Sequence, residues 1–278
     1  MSINNPYLPI PARIEEIIQE TTSDSQDVKT YKLKPKQEIH FRPGQFVECS
    51  VPGVGESTFG FASNPLVKDG IELCIKRTGR VTQAIHMLSA GDTLWIRGPF
   101  GNCFPLEEFE GHDLFIVVGG LGLAPLRPLI EYVLDDSNRG KYGKINMMIA
   151  ARSPKDFNFA YDYDRWASVP DVHIYQTIDA MVPGWDKLVG FPNNLIKDIE
   201  FDAKNTIGLI CGPPIMIKLN SAAFKDLGLP TDCIYTTLEM RMTCGLGKCG
   251  KCNIGHRYVC LDGPVFNLKE LDGMPGEY

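Results

Sequence analysis

Long apolar runs are missing from this sequence. It contains no stretch of about 18 consecutive apolar residues that could cross a bilayer. The opening residues, MSINNPYLPI, also lack the basic segment and apolar run of a secretory signal peptide. We therefore expect a cytoplasmic protein without a membrane span.

Excess positive charge is missing as well. The chain has 28 Lys and Arg against 34 Asp and Glu, a net charge of -6 and a pI near 5.4. A nucleic acid or an anionic membrane calls for a clustered basic surface. Neither is expected as a partner.

Histidine is scarce, and none of the five lies beside a nucleophile or carboxylate in a catalytic pattern; they are His40, His86, His112, His173 and His256. The composition is otherwise that of a globular protein, with 44% hydrophobic and 22% charged residues. A length of 278 residues allows two modest domains and a small appendage.

Two patterns of predicted elements follow each other along the chain. Residues 11–107 form short strands punctuated by Gly and Pro, which is typical of a small antiparallel barrel. From Leu114 onward, apolar strands alternate with predicted helices at residues 124–134, 156–166, 195–199 and 215–227, as in βαβ units. The predicted fold is β plus α/β: an antiparallel β-barrel (1–109), a doubly wound parallel-sheet domain (110–240) and a small Cys-rich subdomain (241–278).

The nine cysteines are unevenly placed, since four lie close together as Cys244, Cys249, Cys252 and Cys260. An odd number and this clustering favour a metal site over a disulfide framework. The x4 and x2 gaps match the plant-type 2Fe-2S run, in which a glycine-rich loop wraps the cluster. A four-Cys zinc site is the alternative, although zinc sites usually present two separate C-x2-C pairs.

A glycine-rich turn follows the strand at residues 114–118. It contains Gly120, Gly122, Ala124 and Pro125 and leads into a predicted helix. Glycines at such a turn let the backbone approach a pyrophosphate at the helix N-terminus. An ordinary strand–turn–helix connection is the alternative interpretation.

A second strand ends at Cys211, Gly212 and Pro213, where ligands of parallel sheets bind. Cys211 is a candidate neighbour of a nicotinamide ring, with a buried bystander thiol as the alternative. Arg152 and Ser153 stand where an acid would contact the ribose of NAD. An arginine there favours the 2′-phosphate of NADP(H), unless Arg152 is a solvated loop residue.

These three signals occur in one order: barrel, dinucleotide turn, cysteine loop. The sequence resembles the ferredoxin–NADP reductase superfamily from about residue 11 to residue 266. It is most similar to the branch with the gamma subunit of sulfhydrogenase, the B subunit of anaerobic sulfite reductase, the electron-transfer subunit of dihydroorotate dehydrogenase and the small subunit of NADH-dependent ferredoxin–NADP oxidoreductase. The resemblance implies FAD on the barrel, a nicotinamide nucleotide on the second domain and a C-terminal 2Fe-2S cluster.

The resemblance also implies a flavin phosphate site around a short helix. Arg77 would approach the phosphates, while Val81 and Thr82 would bind the pyrophosphate. The residues agree with this, because a helix opening at Gly79 to Thr82 follows a strand bearing cationic side chains. The candidate flavin phosphate ligands are Lys76, Arg77, Arg80, Val81 and Thr82, and an ordinary barrel hairpin is the alternative.

The flavin strand departs from the family pattern Arg-x-Tyr-Ser. Ser57 and Gly60 replace the Arg and the Ser, Phe59 keeps the aromatic that lies against the isoalloxazine, and Phe61 follows. Phe59, Gly60 and Phe61 are the candidate flavin-binding residues of this strand. We expect weaker FAD binding, or phosphates held by the cationic residues alone. Binding of FMN and an empty flavin site are less favoured outcomes.

The resemblance implies that NAD(P)H passes a hydride to FAD, and that electrons then leave singly through the cluster. Such a transfer needs no dedicated acid–base pair. Glu239, just ahead of the cysteine loop, is a candidate to reach the flavin edge; a solvated or salt-bridged role is the alternative.

A partner subunit is also expected, because the chain has no second catalytic module to accept the electrons. A hydrogenase, a sulfite or heterodisulfide reductase-like module and a bifurcating iron–sulfur flavoprotein are the candidates. The rival functions are a free-standing NAD(P)H–ferredoxin reductase and a non-catalytic zinc-containing interaction module.

Overall fold

The computed structural model describes residues 5–275. Its first unit is a six-stranded antiparallel sheet in the order β4-β3-β6-β1-β2-β5. The elements are β1 (Ile10–Gln19), β2 (Val28–Pro35), β3 (Phe46–Val51), β4 (Gly55–Gly60), β5 (Ile71–Lys76), α1 (Arg80–His86) and β6 (Thr93–Phe100). The edge strands β4 and β5 approach each other, so the sheet closes into a barrel-like shape.

The barrel interior holds alternate apolar residues of these strands. Tyr31, Leu33, Val47, Leu73 and Ile96 are each 2% exposed or less. Each such burial stabilises the fold by about 1.5–3 kcal/mol relative to an exposed side chain. Because successive side chains of a strand point to opposite faces, the outward-facing side chains of β3 and β6 contact the rest of the molecule.

The second unit contains β7 (Asp113–Gly119), α2 (Leu123–Leu134), β8 (Ile145–Ala151), α3 (Tyr163–Ala167), β9 (Val172–Ile178), β10 (Leu188–Val189), α4 (Pro192–Leu195), β11 (Thr206–Cys211), α5 (Pro214–Asp226) and β12 (Ile234–Thr237). Strands β7 to β12 are mutually parallel where they pair. The central strands β7 and β11 are buried nearly throughout, as expected of a parallel sheet covered on both faces.

The C-terminal tail forms β13 (Asn253–Ile254), β14 (Arg257–Tyr258), α6 (Val259–Asp262) and β15 (Val265–Asn267). Strand β15 pairs antiparallel with β12, which completes a seven-stranded sheet in the order β10-β9-β8-β7-β11-β12-β15. Cys252, Cys260 and Phe266 of the tail share an apolar cluster with Phe46 and Phe100 of the barrel. The cysteine segment is therefore packed against the barrel.

The predicted fold class is confirmed, but the helix predicted at residues 156–166 is wrong. Separate turns of 3-10 helix, Pro154–Asp156 and Ala160–Asp162, precede the five-residue α3. Phe159 has a left-handed backbone (φ 56°), which interrupts an α-helix, and its ring is completely buried. Tertiary packing of Phe159 thus overrides the local helical pattern. The helix predicted at residues 195–199 is also displaced, because α4 begins at Pro192 and a 3-10 turn follows it.

A buried arginine ties the two units together. Arg127 of α2 donates from Nε to Asp162 Oδ2 (2.8 Å) and from Nη1 to the carbonyl oxygen of Ala62 (2.5 Å), and it also contacts Glu72. Ala62 and Glu72 belong to the first unit, so the helix that follows the glycine-rich turn is fixed against the barrel. Removing one partner of such a buried pair typically costs about 3–5 kcal/mol.

Among residues 5–275, no helix combines the length and the apolar character needed to cross a membrane.

Candidate functional site

A cleft of about 800 Å³ opens at the carboxyl ends of the parallel strands. This is where ligands of doubly wound sheets bind. The residues predicted from sequence that line it are Lys76, Gly120, Gly122, Arg152, Cys211, Gly212, Pro213 and Glu239. The structure therefore brings together the glycine-rich turn, the Cys-Gly-Pro turn and the residue preceding the cysteine loop.

The two turns pack directly on each other at the floor of the cleft. A Cβ added to Gly122 would stand 2.6 Å from the carbonyl carbon of Cys211 and 2.8 Å from the Gly212 nitrogen. Gly119 likewise lies against Met216 of α5. Side chains at these glycines would separate the turns, so the sequence motif has a steric basis here.

Ala124 and Pro125 lie outside the walls of the cleft. Ala124 is buried in the core beside β7. Pro125 instead faces the barrel, where a Cβ added to Gly60 would come within 3.1 Å of Pro125 Cβ. Gly60, which stands where the family pattern has a serine, is thus the point at which the second domain closely approaches the barrel.

Cys211 and Glu239 are neighbours of different character. Cys211 is buried, and its Sγ lies 2.9 Å from Thr237 Oγ1. Burial raises the pKa of Cys211 to about 12, so the thiol is neutral near pH 7. Glu239 is open to the cleft but closely surrounded by protein, and this desolvation raises its pKa.

Several polar residues of the cleft were missed by the sequence analysis. Asp156 is buried and accepts hydrogen bonds from Ser153 Oγ (2.7 Å), from Gln26 Nε2 (3.3 Å) and from Ser23. The hydroxyl of the predicted Ser153 is therefore engaged by Asp156, whereas Arg152 is exposed. Asp179 also lines the cleft, directly after β9, and its position at a strand end is the signal that could have revealed it.

Two of the three cationic residues predicted to hold flavin phosphates, Lys76 and Arg77, line a second, polar cavity of about 430 Å³. Lys76 Nζ donates to Gln26 Oε1 (3.0 Å), and Arg77 Nε lies 3.1 Å from Asp27 Oδ2. Arg80 is exposed and donates to the carbonyl oxygen of Val54 (2.5 Å). Such cations suit a pyrophosphate, because charge-assisted hydrogen bonds to phosphate are strong.

The remaining residues predicted to bind the flavin make hydrogen bonds or packing contacts within the barrel. Thr82 Oγ1 accepts the backbone N–H groups of Thr78 and Gly79 at 2.9 Å. Val81 and Phe59 pack against the barrel core and are partly exposed. The ring of Phe61 is 1% exposed and stacks on Phe41.

The cysteine loop directs backbone N–H groups at sulfur. Leu246 and Lys248 donate to Cys244 Sγ (3.4 and 3.3 Å), and Gly247 donates to Cys260 Sγ (3.1 Å). Gly247 has a φ of +68°, a conformation that L side chains rarely adopt. The loop therefore has the N–H donors and the glycine that wrapping an iron–sulfur cluster requires.

Two cysteines of the loop have pKa values shifted in opposite directions. Burial acts to raise the pKa of Cys244, but backbone N–H groups and the Cys249 thiol outweigh it and lower that pKa to about 6. Burial and the Cys252 thiol raise the pKa of Cys260 to about 12. The Cys244 thiol adds to the shift of Cys260, so the thiols influence one another across the loop.

Within the described part of the chain, no three His, Cys, Asp or Glu side chains converge on one point in the way a single metal ion requires. A two-iron cluster does not need such convergence, because each iron takes only two protein ligands.

A charged row on the outer face of the barrel contacts the cysteine loop. Arg97 donates from Nη1 to the carbonyl oxygen of Cys244 (3.2 Å) and makes a bidentate pair with Glu56 (2.7 Å for both bonds). Next to it, Glu48 is fully buried and accepts a bond from Thr58 Oγ1 (2.9 Å), while its Oε2 has no partner among the described residues. Burial raises the pKa of Glu48 to about 7, and the nearby Glu56 adds to the effect.

The sequence matches three protein families in succession. Residues 16–104 match the oxidoreductase FAD-binding domain, and residues 116–221 match the oxidoreductase NAD-binding domain. Residues 239–272 match the iron–sulfur cluster binding domain of dihydroorotate dehydrogenase B. Together with the cleft and the cysteine loop, these domains define an NAD-linked oxidoreductase that uses FAD and an iron–sulfur cluster.

Curated relatives extend over nearly the whole chain. Sulfhydrogenase 1 subunit gamma of Pyrococcus furiosus is 42% identical over 85% of this chain and 82% of its own length. A probable dihydroorotate dehydrogenase B (NAD(+)) electron transfer subunit of Thermococcus kodakarensis is 32% identical over 92% of this chain and 97% of its own length. The chain therefore belongs to this family of electron-transfer subunits, and the resemblance inferred from the sequence is confirmed.

The fold is also shared with a solved structure from a study of flavin-based electron bifurcation, that of the NADH-dependent reduced ferredoxin–NADP oxidoreductase. The TM-score is 0.75 at 22% identity, covering 96% of this chain and 90% of that chain.

Proposed function

We propose that this chain is the NAD(P)H-oxidising subunit of a cytoplasmic redox complex and passes electrons to a partner subunit through a 2Fe-2S cluster. When bound, FAD accepts a hydride from the nicotinamide and releases electrons one at a time. The protein supplies two binding sites and holds them next to each other. The proposed domain bounds are 1–109, 110–240 and 241–278.

One observation carries the proposal: the three cofactor regions meet at a short segment of chain. Thr237, Leu238 and Glu239 line the dinucleotide cleft, and the first cluster cysteine follows as Cys244. The carbonyl oxygen of Cys244 is in turn held by Arg97 of the flavin barrel. Electrons that enter at the cleft are therefore collected beside the loop from which they leave.

Cys211 and Glu239 position the reacting ring in this proposal. A neutral, buried Cys211 offers a compact apolar contact to a nicotinamide and is poorly suited to act as a nucleophile. Glu239, with its raised pKa, presents a carboxyl to the same cleft. Arg152 is exposed in the cleft at the end of β8 and supports binding of a 2′-phosphate, so NADPH is accepted beside NADH.

We assign Cys244 and Cys249 to one iron, and Cys252 and Cys260 to the other. This division takes the cysteines in their order along the chain, the first with the second and the third with the fourth. Flavin phosphates are assigned to Lys76, Arg77 and Arg80, with the N-terminal turn of α1, because these cations surround the polar cavity or lie exposed beside that turn.

The electron acceptor is a separate iron–sulfur or hydrogenase-type subunit. The relatives named above are themselves subunits, which supports this assignment. A soluble ferredoxin is the alternative acceptor. Reduction of added ferredoxin by the isolated chain at the rate of the native complex would favour that alternative.

Substitution of a buried cluster cysteine tests the proposal. The anaerobically purified chain should contain two irons and two acid-labile sulfides, and NADH should bleach both the flavin and the cluster absorbance. Cys252→Ser should lose most of the iron, because a serine hydroxyl is a poor substitute for a thiolate. NADH should still reduce its flavin.

The matched control is Cys233→Ser, since Cys233 is a partly exposed cysteine outside the loop. It should keep its full iron content. Zinc in place of iron, or equal iron in Cys252→Ser and the control, would contradict the assignment.

A further inference from the structure

We propose that the surface around the cysteine loop is a positively charged docking site for an acidic face of the electron-accepting protein. This cluster face consists of Arg241, Lys248, Lys251, the exposed ligand Cys249 and Leu261. The inference deepens the proposed function and rests on it, because it assigns a chemistry to the partner surface that meets the cluster.

The charge of the segment contrasts with that of the whole chain. Between Glu239 and Asp262 the sequence has four Lys or Arg and no Asp or Glu, although the chain carries a net charge of -6. Arg241, Lys248 and Lys251 are all exposed. Within residues 5–275, none of these three forms an ion pair. Three cations therefore remain available to a partner.

Two acids near the cysteine loop already have cationic partners. Both oxygens of Glu56 accept bonds from Arg97. Glu270 is paired with Arg257 (3.2 Å). Glu56 and Glu270 are therefore engaged by cations other than the three of the cluster face, and Glu239 and Asp262 are the acids that flank the segment at its two ends.

An apolar side chain stands beside the cations. Leu261 is 59% exposed and lies directly after the ligand Cys260. It packs over the loop, because a Cβ added to Gly247 would come within 3.0 Å of Leu261 Cδ2. An exposed leucine beside an exposed Cys249, with lysines on either side of that cysteine, has the apolar centre and charged rim of a protein interface.

The physical role of the charge is to guide a partner to the point of electron exit. Complementary charges accelerate association by about 10–10³-fold and lose that effect as salt increases. Electron transfer across the cluster face moves one electron from cluster to acceptor and breaks no bond. Rate and salt dependence are therefore the direct readouts of this surface.

Two redox proteins of opposite charge test the proposal in the FAD- and iron-loaded chain. The acidic probe is a reduced plant-type 2Fe-2S ferredoxin, whose electron is passed to the oxidised chain. The basic probe is oxidised cytochrome c, which takes electrons from the NADH-reduced chain. In wild type, the ferredoxin rate should fall about tenfold between low and high salt, whereas the cytochrome c rate should rise.

The double variant Lys248→Glu, Lys251→Glu should invert this preference. At low salt its ferredoxin rate should fall about tenfold and its cytochrome c rate should increase, and both should approach wild type at high salt. Damage to the loop would slow both probes and does not produce an inversion. If the glutamates displace iron, Lys248→Gln, Lys251→Gln serves instead and should weaken the salt dependence without inverting it, because Arg241 remains.

The control is Lys36→Glu, Lys68→Glu, which makes the same charge change at exposed lysines of the barrel unit. It should keep the wild-type salt dependence. Identical salt slopes in all three proteins would overturn the docking proposal while NADH still bleaches flavin and cluster. Failure of NADH to bleach them would instead overturn the proposed function.

Discussion

Gly122→Ala should disable the dinucleotide cleft while leaving the fold intact. Gly122 has ordinary helical angles (φ -60°, ψ -14°), so alanine causes no backbone strain there. The cost is steric. The new methyl would stand 2.6 Å from the carbonyl carbon of Cys211, against about 3.4–4 Å for an ordinary contact, so the two turns must separate by about 1 Å.

A displacement of about 1 Å at a reaction site can cost about 10²-fold in rate. We therefore expect kcat/KM for NADH to fall by about that factor, measured with ferricyanide as acceptor. Overpacking should lower the free energy of unfolding by only about 1–3 kcal/mol. FAD and iron contents should be unchanged, since neither is assigned to this turn.

Gly140→Ala is the control, because no atom of another residue lies within 4 Å of a Cβ added at Gly140. It should behave as wild type. A folded Gly122→Ala protein with unchanged KM and kcat would refute the view that the two turns form the nucleotide site by close contact.

Two further predictions follow from polar groups of the site. Arg152→Ala should lower kcat/KM for NADPH by about tenfold and change that for NADH by less than about twofold, because only NADPH carries the 2′-phosphate; equal losses would contradict the assignment. The free energy of unfolding of Glu48→Gln, relative to that of the native protein, should increase as pH rises. The folded pKa of Glu48 is about 7 and the unfolded value about 4.3, so between them the folded chain retains a proton that the unfolded chain has lost. The native protein loses about 4 kcal/mol of stability over this window, at about 1.4 kcal/mol per pH unit, and about 3 kcal/mol of that between pH 5 and pH 7. Urea unfolding near pH 5 and near pH 8 measures it, and an advantage of Glu48→Gln that does not change with pH would exclude an ionisation cost.

The strands and the dinucleotide motifs were predictable because their signals are local. Strand β11 ends at Cys211 as predicted, because its mostly apolar run is followed there by Gly212 and Pro213. The cysteine spacing is likewise a local signal, because the four cysteines lie close together in the sequence. Gly122 and Cys211 were both identified, although their direct contact is a property of the folded sheet.

Features that depend on distant partners could not be predicted in this way. The left-handed Phe159 is fixed by burial of its ring between the domains, where Arg127 lies 4.7 Å from the ring centroid. Strand β15 has only three residues, and its pairing with β12 spans about thirty positions. Phe61 was assigned to the flavin by its place in a motif, whereas its side chain lies in the barrel core.

The position of β15 at the edge of the sheet affects whether the cysteine segment can be separated from the nucleotide-binding domain. A redox segment that merely hung from the end of the chain could be gained or lost without disturbing its neighbours. Here the segment exchanges backbone hydrogen bonds with the nucleotide-binding sheet, because Leu268 N–H donates to the carbonyl oxygen of Ile234 and Leu238 N–H donates to the carbonyl oxygen of Pro264. Excising the tail through β15 would therefore leave β12 as an unpaired edge of the sheet. Backbone pairing thus joins the cysteine segment to the nucleotide-binding sheet.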